Sequence, residues 1–294
     1  MPILGELAAL GTSVLWAFNA VFFTEASRRI QVIAVSVLRL TLASILLIAV
    51  HLLAGGRFAF PLQSMIWLSI SGIVALAVGD WFLFAAFAKI GPRIVLLVMT
   101  LSPVFSALIA WIFLKETLSL LSISGIMLVL AGICLVVLNK KDSQHLDRRS
   151  VIAGVLMAVA ASIGQGAGLV LAKQGMIEGV NVLDATMLRV LAATAVTSLY
   201  VLFAGKTKEV VGSVKDGKAM LHVSLGTTIG LIIGTLLALY AINNTKVGIG
   251  ATFISLSPVV MLPLSRIIYK ERITFFAIAG TLAALAGVAL ILIR

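Results

Sequence analysis

Along its length the chain alternates long apolar runs with short breaks rich in charge, Gly or Pro. A run of about 18 or more residues with few charges is long enough to cross a bilayer as a helix. Bounded by those breaks, the pattern predicts ten such helices, at 3–24, 32–54, 64–86, 93–113, 120–138, 151–172, 182–203, 219–241, 248–268 and 275–293. The strand alternation of a membrane barrel is absent. The longest connections, "NKKDSQHLDRRS" (139–150) and "AGKTKEVVGSVKDGK" (204–218), are too short to fold as domains. The expected fold is therefore an all-α polytopic membrane protein whose function lies within or between its ten transmembrane helices.

The second half of this pattern repeats the first. Residues 101–139 begin "LSPVFSALIAWIFLKETLSL" and residues 256–294 begin "LSPVVMLPLSRIIYKERITF"; aligned without gaps at an offset of 155, 13 of the 39 positions are identical. The matches include Ser102/Ser257, Pro103/Pro258, Lys115/Lys270, Glu116/Glu271, Gly125/Gly280 and Gly132/Gly287, and the same offset pairs Gly79 with Gly234. Nearer the start, "SVLRLTLA" (36–43) matches "TMLRVLAA" (186–193) and pairs Arg39 with Arg189. Apolar helices resemble one another by chance, so the shared charged, Pro and Gly positions carry the duplication. It divides the chain into a first repeat (1–140), a basic linker (141–150) and a second repeat (151–294). Five helices per repeat is odd, so the second copy must enter the membrane from the opposite side. Two inverted five-helix repeats are the architecture typical of secondary transporters.

Composition agrees. The chain is 61% hydrophobic and 11% charged, with a mean hydropathy of +1.19, whereas a soluble domain is charged at about a quarter of its positions. The net charge of +11 would point to nucleic acid in a soluble protein. Here it reads as Lys and Arg holding loops against anionic lipid, and no nucleic-acid partner is expected. The loops after the odd-numbered helices and their adjoining ends hold 15 Lys and Arg residues, the opposite side 5, leaving out Arg39 and Arg189. The positive-inside rule then makes loops 139–150 and 204–218 cytoplasmic and both termini external. "MPILGEL" lacks a basic n-region and a cleavage signal, and so reads as the start of a retained helix. The single Cys134 and the scattered His51, His145 and His222 offer no disulfide framework, metal site or cofactor site.

Candidate chemistry lies inside the spans. Pro103 and Pro258 lack an N–H near the middle of the fourth and ninth helices, which frees the carbonyls of Met99 and Ile254 beside Ser102 and Ser257. Kinked or broken helices near the midplane are where carrier sites form, although packing kinks in membrane helices have the same look. The third helix sets Asp80, Phe84 and Phe87 on one face. Its repeat partner offers Tyr240, Asn243 and Asn244, the first helix Trp16 and Asn19, and the sixth Gln165. Aromatics with a few amides suit an amphipathic metabolite, while each aromatic alone is equally ordinary packing. Arg39 and Arg189 lie about seven residues, or roughly 10 Å, into their helices, within reach of snorkelling. Asp80 is the one acid in its span, at about the depth of Arg39, and pairing would relieve the cost of burying both. The second repeat keeps Arg189 but has Thr235 in place of Asp80. A pair confined to one half is a candidate gate and a candidate proton-coupling site. Small residues in "SGIMLVLAG" (124–132) and "GTLAALAG" (280–287) permit close helix packing, within the chain or in a homodimer; a monomer is expected.

The segment "GDWFLFAAFAKIGPRIVLLVMTLSPVFSALIAWIFLKETL" (79–118), repeated as "GTLLALYAINNTKVGIGATFISLSPVVMLPLSRIIYKERI" (234–273), resembles the EamA domain. Its marks are a small residue and aromatics in the third helix, Ser-Pro in the fourth, and Lys-Glu before the fifth. Two such domains in ten helices is the organisation of the drug/metabolite transporter superfamily. The resemblance implies a bacterial inner-membrane carrier, often an exporter of amino acids or related metabolites, with its termini inside. The four-helix multidrug members carry a proton-coupling Glu in mid-helix 1. Here that helix has only Glu6 and Glu25 near its ends, so their coupling does not transfer.

The reading is a secondary transporter moving a small amphipathic metabolite by alternating access, with a channel, a facilitator or a structural membrane component as the alternative. A membrane enzyme would need a nucleophile, metal cluster or paired acids within the spans, and an ATP-driven pump a phosphate-binding loop; neither occurs. On the charge count, a C-terminal tag is expected to be labelled in intact cells. Labelling only after permeabilisation would reverse the orientation.

Overall fold

The computed structural model describes residues 2–56, 58–114, 120–137, 147–244 and 253–292. Every regular element among them is helical, as a bilayer requires of a chain that must satisfy its own backbone hydrogen bonds. In order these are α1 (Pro2–Arg29), α2 (Val32–Leu53), α3 (Leu62–Gly72), α4 (Asp80–Met99), α5 (Leu101–Leu114), α6 (Leu120–Val137), α7 (Arg148–Gly175), α8 (Val182–Phe203), α9 (Thr207–Ser213), α10 (Gly217–Gly226), α11 (Thr235–Asn244), α12 (Ser257–Tyr269) and α13 (Phe275–Leu292). Seven helices among the described residues are long and apolar enough to cross a membrane, and two shorter apolar helices follow near the C-terminus.

One of the seven, Leu62–Met99, has 38 residues and would measure about 57 Å as a single rod, nearly twice the hydrocarbon thickness. It is two rods. Gly91 takes φ 75° and ψ 165°, a backbone that a side chain would resist, and Pro92 follows without an N–H to continue the ladder.

Two π-helical segments were not foreseen. Ile73–Gly79 joins α3 to α4, and Thr227–Gly234 joins α10 to α11. They end at Gly79 and Gly234, equivalent residues of the two repeats. In the first, the Asp80 N–H donates to the Ala75 carbonyl, five residues back. The wider turn leaves neighbouring carbonyls available to side chains, and such turns recur at functional sites.

The prolines do not bend continuous helices. The ladder stops at Thr100, so Pro103 stands in the first turn of α5, and Pro258 stands at the start of α12 after the turn Phe253–Leu256. An N-terminal turn tolerates proline because its first N–H groups have no intrahelical partner. The spans are thus interrupted just before each proline: of the kinked or broken helices expected there, the structure has the broken form.

Equivalent helices of the two repeats pack on each other and run antiparallel. A Cβ on Gly125 would lie 2.6 Å from the Gly287 carbonyl oxygen, and one on Gly287 would lie 2.5 Å from that of Gly125; Gly132 and Gly280 stand in the same relation at 2.5 and 2.6 Å. The contact between α6 and α13 therefore maps onto itself when the repeats are exchanged. Likewise Ser44 of α2 and Thr194 of α8, equivalent at the offset that aligns Arg39 with Arg189, share a hydrogen bond of 2.8 Å. The remaining contacts interlock the halves. α1 packs along α10, the second π segment and α11, while α7 packs along α3, the first π segment and α4. Gly164 of α7 lies against Gly79, and Ser71 of α3 donates to the Gly168 carbonyl at 2.6 Å. In the 204–218 connection, α9 buries Val210 against Ile33, Ala34 and Val201.

Because no side chain separates α6 from α13 at the four glycines, Gly287→Ala must push them apart. Overpacking of this kind costs about 1–3 kcal/mol, read as a lower midpoint of thermal unfolding in detergent. Gly212→Ala in α9, whose Cβ meets nothing within 4 Å, is expected to leave the midpoint unchanged.

Candidate functional site

At the seam between the halves, Asp80 opens α4 where the first π segment ends. It is 4% exposed and accepts a hydrogen bond on each carboxylate oxygen. Arg39 Nη2, from α2 of the same repeat, donates to Oδ2 at 2.6 Å; Gln165 Nε2, from α7 of the other repeat, donates to Oδ1 at 2.6 Å. Both donors also lean on the π turn, Arg39 towards the Leu76 carbonyl at 3.3 Å and Gln165 towards the Ala75 carbonyl at 3.4 Å. Phe84, one turn beyond Asp80, and Phe23 of α1 flank the guanidinium, with ring centroids 5.1 and 5.8 Å from Arg39 Cζ. Phe84 packs on Phe23 at 4.8 Å between centroids and on Phe87 at 6.4 Å. The charge of Arg39 is thus met by a carboxylate and by aromatic rings beside it.

The structure brings Arg39, Asp80, Phe84 and Gln165 into this one cluster. Trp16 and Asn19 go to the second π segment instead. Trp16 Nε1 donates to the Gly230 carbonyl at 3.3 Å, and the Asn19 side chain lies against Gly226 and Gly230. The Asn19 Oδ1 is buried without a hydrogen-bond partner among the described residues. Ser102 meets α7 through its carbonyl, which Gly166 approaches. Ser257 is buried and donates to the Ile254 carbonyl at 3.3 Å, so the carbonyl expected to be freed by Pro258 is engaged locally. Tyr240 is 46% exposed. Asn243 and Asn244 end α11, and their side chains lie outside the described ones, as do Lys115 and Glu116 altogether.

Three polar links between the halves escaped sequence reasoning. His51, 2% exposed in the last turn of α2, meets Asp184 Oδ1 at 2.7 Å through Nδ1, and Asn181 both donates to Asp184 Oδ2 and caps α8. At the opposite ends of the helices, Arg93 pairs with Glu271 at 2.9 Å and Arg29 approaches Asp216 at 3.9 Å, tying α4 and α1 of the first half to the second. Scanning for clustered ligands passes over such pairs because their partners lie 133 or more positions apart. The only signal for His51 and Asp184 was the repeat offset, which sets α2 against α8.

Two interlocked, duplicated halves of apolar helices, with a buried ion pair at their seam, define a multi-pass helical membrane protein. The EamA-like transporter family model matches residues 3–138 and 152–293. The chain belongs to that family, within the drug/metabolite transporter superfamily. It is similar to the uncharacterized transporter YvbV of Bacillus subtilis (strain 168), with 29% identity over 144 residues; the match spans 46% of this chain and 45% of that protein. A crystal structure of another protein superposes with a TM-score of 0.66 at 20% identity, covering 97% of this chain and 94% of the other. That likeness concerns the fold alone.

Removing one member of the Arg39–Asp80 pair leaves the other buried and uncompensated, at a cost of about 3–5 kcal/mol. Arg39→Gln and Asp80→Asn are each expected to lower thermal stability in detergent, and the double variant to lose less than the sum of the two. Additive losses would show that the pair carries no coupling energy.

Proposed function

We propose that the protein is a secondary transporter that moves a small amphipathic metabolite, an amino acid or related compound in the export direction, by alternating access. On this reading it has ten spans in two inverted five-helix repeats, residues 1–140 and 151–294, joined by the basic segment 141–150. It lies in the bacterial plasma membrane with its basic loops inside. The antiparallel packing of equivalent helices supports the inversion. The observation that carries the mechanism is the Asp80 carboxylate shared between Arg39 of one half and Gln165 of the other. A rocking motion of one half against the other must stretch or break one of these bonds. That makes Asp80 and Arg39 the gate, with the coupling proton taken up at Asp80 as the bond opens.

Around this gate, Trp16, Asn19, Phe84, Ser102, Gln165, Tyr240, Asn243, Asn244 and Ser257 form the proposed substrate path. The breaks before Pro103 and Pro258 and the two π turns supply backbone carbonyls along it. Asn19 Oδ1, unpartnered at the second π turn, is the path's available hydrogen-bond acceptor among the described side chains.

The test is counterflow in proteoliposomes loaded in turn with amino acids, nucleosides, sugars and amines. A carrier shows saturable uptake stimulated by solute on the opposite side, whereas a channel shows neither. Asp80→Asn is expected to reduce exchange at least tenfold and to flatten its dependence on pH. Wild-type rates with an unchanged pH profile in that variant would remove Asp80 from the gate.

A further inference from the structure

The helices α2 and α8 are equivalent from cap to cap, yet one end of the seam between them is polar and the other apolar. The offset that aligns Arg39 with Arg189 also pairs their capping residues Gln31 and Asn181. Past the last turns it pairs Leu52 with Leu202, Ala54 with Ala204 and Gly55 with Gly205, both glycines at positive φ (71° and 66°). Ser44 and Thr194, bonded midway, are each other's equivalents, so a contact at one end of the seam has its counterpart at the other. The counterpart of His51 is Val201, and that of Asp184 is Ala34. Those two are buried in one apolar cluster with Ile33 and Val210. One end is thus closed by an imidazole on a carboxylate, the other by hydrocarbon.

The polar end can take a proton. His51 Nδ1 meets Asp184 Oδ1 at 2.7 Å. A carboxylate only accepts, so the neutral ring carries its hydrogen on Nδ1 and its free lone pair on Nε2. Nε2 is buried without a hydrogen-bond partner among the described residues. Phe58 and Phe60 lie beside the ring, at 4.6 and 6.2 Å between centroids, and Gly56 packs on it so closely that a Cβ there would overlap it. Asp184 is the charged group that the ring meets among the described residues; Glu178, between α7 and α8, accepts instead from Ser64 at 3.1 Å. Protonation at Nε2 turns the hydrogen bond into an ion pair, which is shorter and stronger. The imidazolium then stands in the last turn of α2 and the carboxylate in the first turn of α8, each at the helix end that favours its charge.

We propose that His51 and Asp184 form a proton-binding latch that holds this one end of the α2–α8 seam shut when His51 is protonated. α2 and α8 belong to opposite halves, so parting the halves here must break the pair. Parting them at the other end separates Ala34 from Val201, neither of which titrates. The ion pairs at that other end, Arg93–Glu271 and Arg29–Asp216, contain guanidinium groups that keep their charge. Imidazole changes charge between about pH 5 and 8, so mild acid closes one end and leaves the other free. The latch requires the halves to move, as the carrier reading does, but it names no solute.

The experiment measures distances between nitroxide pairs by pulsed electron resonance on the full-length protein in lipid nanodiscs, where both faces share one pH. In a Cys134→Ser background, Leu53→Cys with Ile177→Cys, at positions 88% and 70% exposed, spans the His51 end. Gln31→Cys with Phe203→Cys, also at exposed positions, spans the other. From about pH 8 to about pH 5.5, the longer-distance population at the His51 end is expected to fall about threefold or more, with no such fall at the other end. His51→Asn, which keeps a neutral donor, and Asp184→Asn, which removes the anion, are each expected to abolish this closure in acid. Asp80→Asn is expected to keep it; its loss there would assign the response to Asp80 and overturn the latch. An equal response at both ends, a response of opposite sign, closure that persists in both latch variants, or wild-type distances that ignore pH overturn it as well. Counterflow decides the carrier separately. Exchange by a protein whose His51 end ignores pH keeps the carrier and removes the latch, whereas an acid-closed His51 end without counterflow of any solute keeps the latch and removes the carrier.

Discussion

Asp80 must be satisfied away from water, and much of the surrounding architecture follows from how that is done. Each oxygen of the carboxylate takes one short hydrogen bond, from an arginine of its own repeat and a glutamine of the other. For Gln165 to reach it, α7 must approach the start of α4 closely, which the glycines at 79 and 164 permit. Buried Arg39 meets both Asp80 and the Leu76 carbonyl of the π turn through Nη2, while Phe23 and Phe84 cover its flanks. A charge that would be prohibitive on an isolated helix becomes a joint between three helices and two halves.

The same joint shows where duplication was kept and where it was abandoned. Packing is symmetric. The glycine pairs of α6 and α13 are interchangeable, Ser44 meets its own equivalent Thr194, and both third spans carry a π turn ending in glycine. Charge is not symmetric. Asp80 has become Thr235, Gln165 sits on one π turn where Trp16 and Asn19 sit on the other, and Arg189 has no acid of its own. On the proposed alternating-access reading, symmetric packing would give two arrangements of the halves similar energies, and asymmetric charge would make them respond differently to a proton. The polar links at the helix ends add to this asymmetry. His51 with Asp184 and Arg93 with Glu271 lie at opposite ends of the spans and join different helices of the two halves.

How much of this was legible depended on how far apart the interacting residues lie. Helix positions, the duplication and the resemblance to the EamA domain were readable because they rest on local hydropathy and on Pro, Gly and charged positions repeated at one offset. The Arg39–Asp80 pair was anticipated because both residues are charged, stand at one depth and occupy neighbouring spans. Gln165 was named as a polar residue of its span, but nothing local tied it to Asp80. The π turns were illegible, since an extra residue in a helical turn leaves the apolar pattern nearly unchanged. The prolines marked the interruptions but did not say whether the helices bend or break: hydropathy runs straight through Thr100 and Leu256, while the backbone stops there and starts again.

By itself, then, the sequence determined that this is a helical membrane protein of two related halves, because burying backbone in lipid and repeating one unit along the chain leave periodic, one-dimensional marks. Only the tertiary structure decided which polar groups meet. Inversion brings equivalent helices together antiparallel, so partners are set by depth and facing direction across more than a hundred residues of chain. That is how Asp80 comes to be held by Arg39 of its own half and Gln165 of the other, while Arg189, which matches Arg39 at the repeat offset, has Thr235 where the first half has its acid.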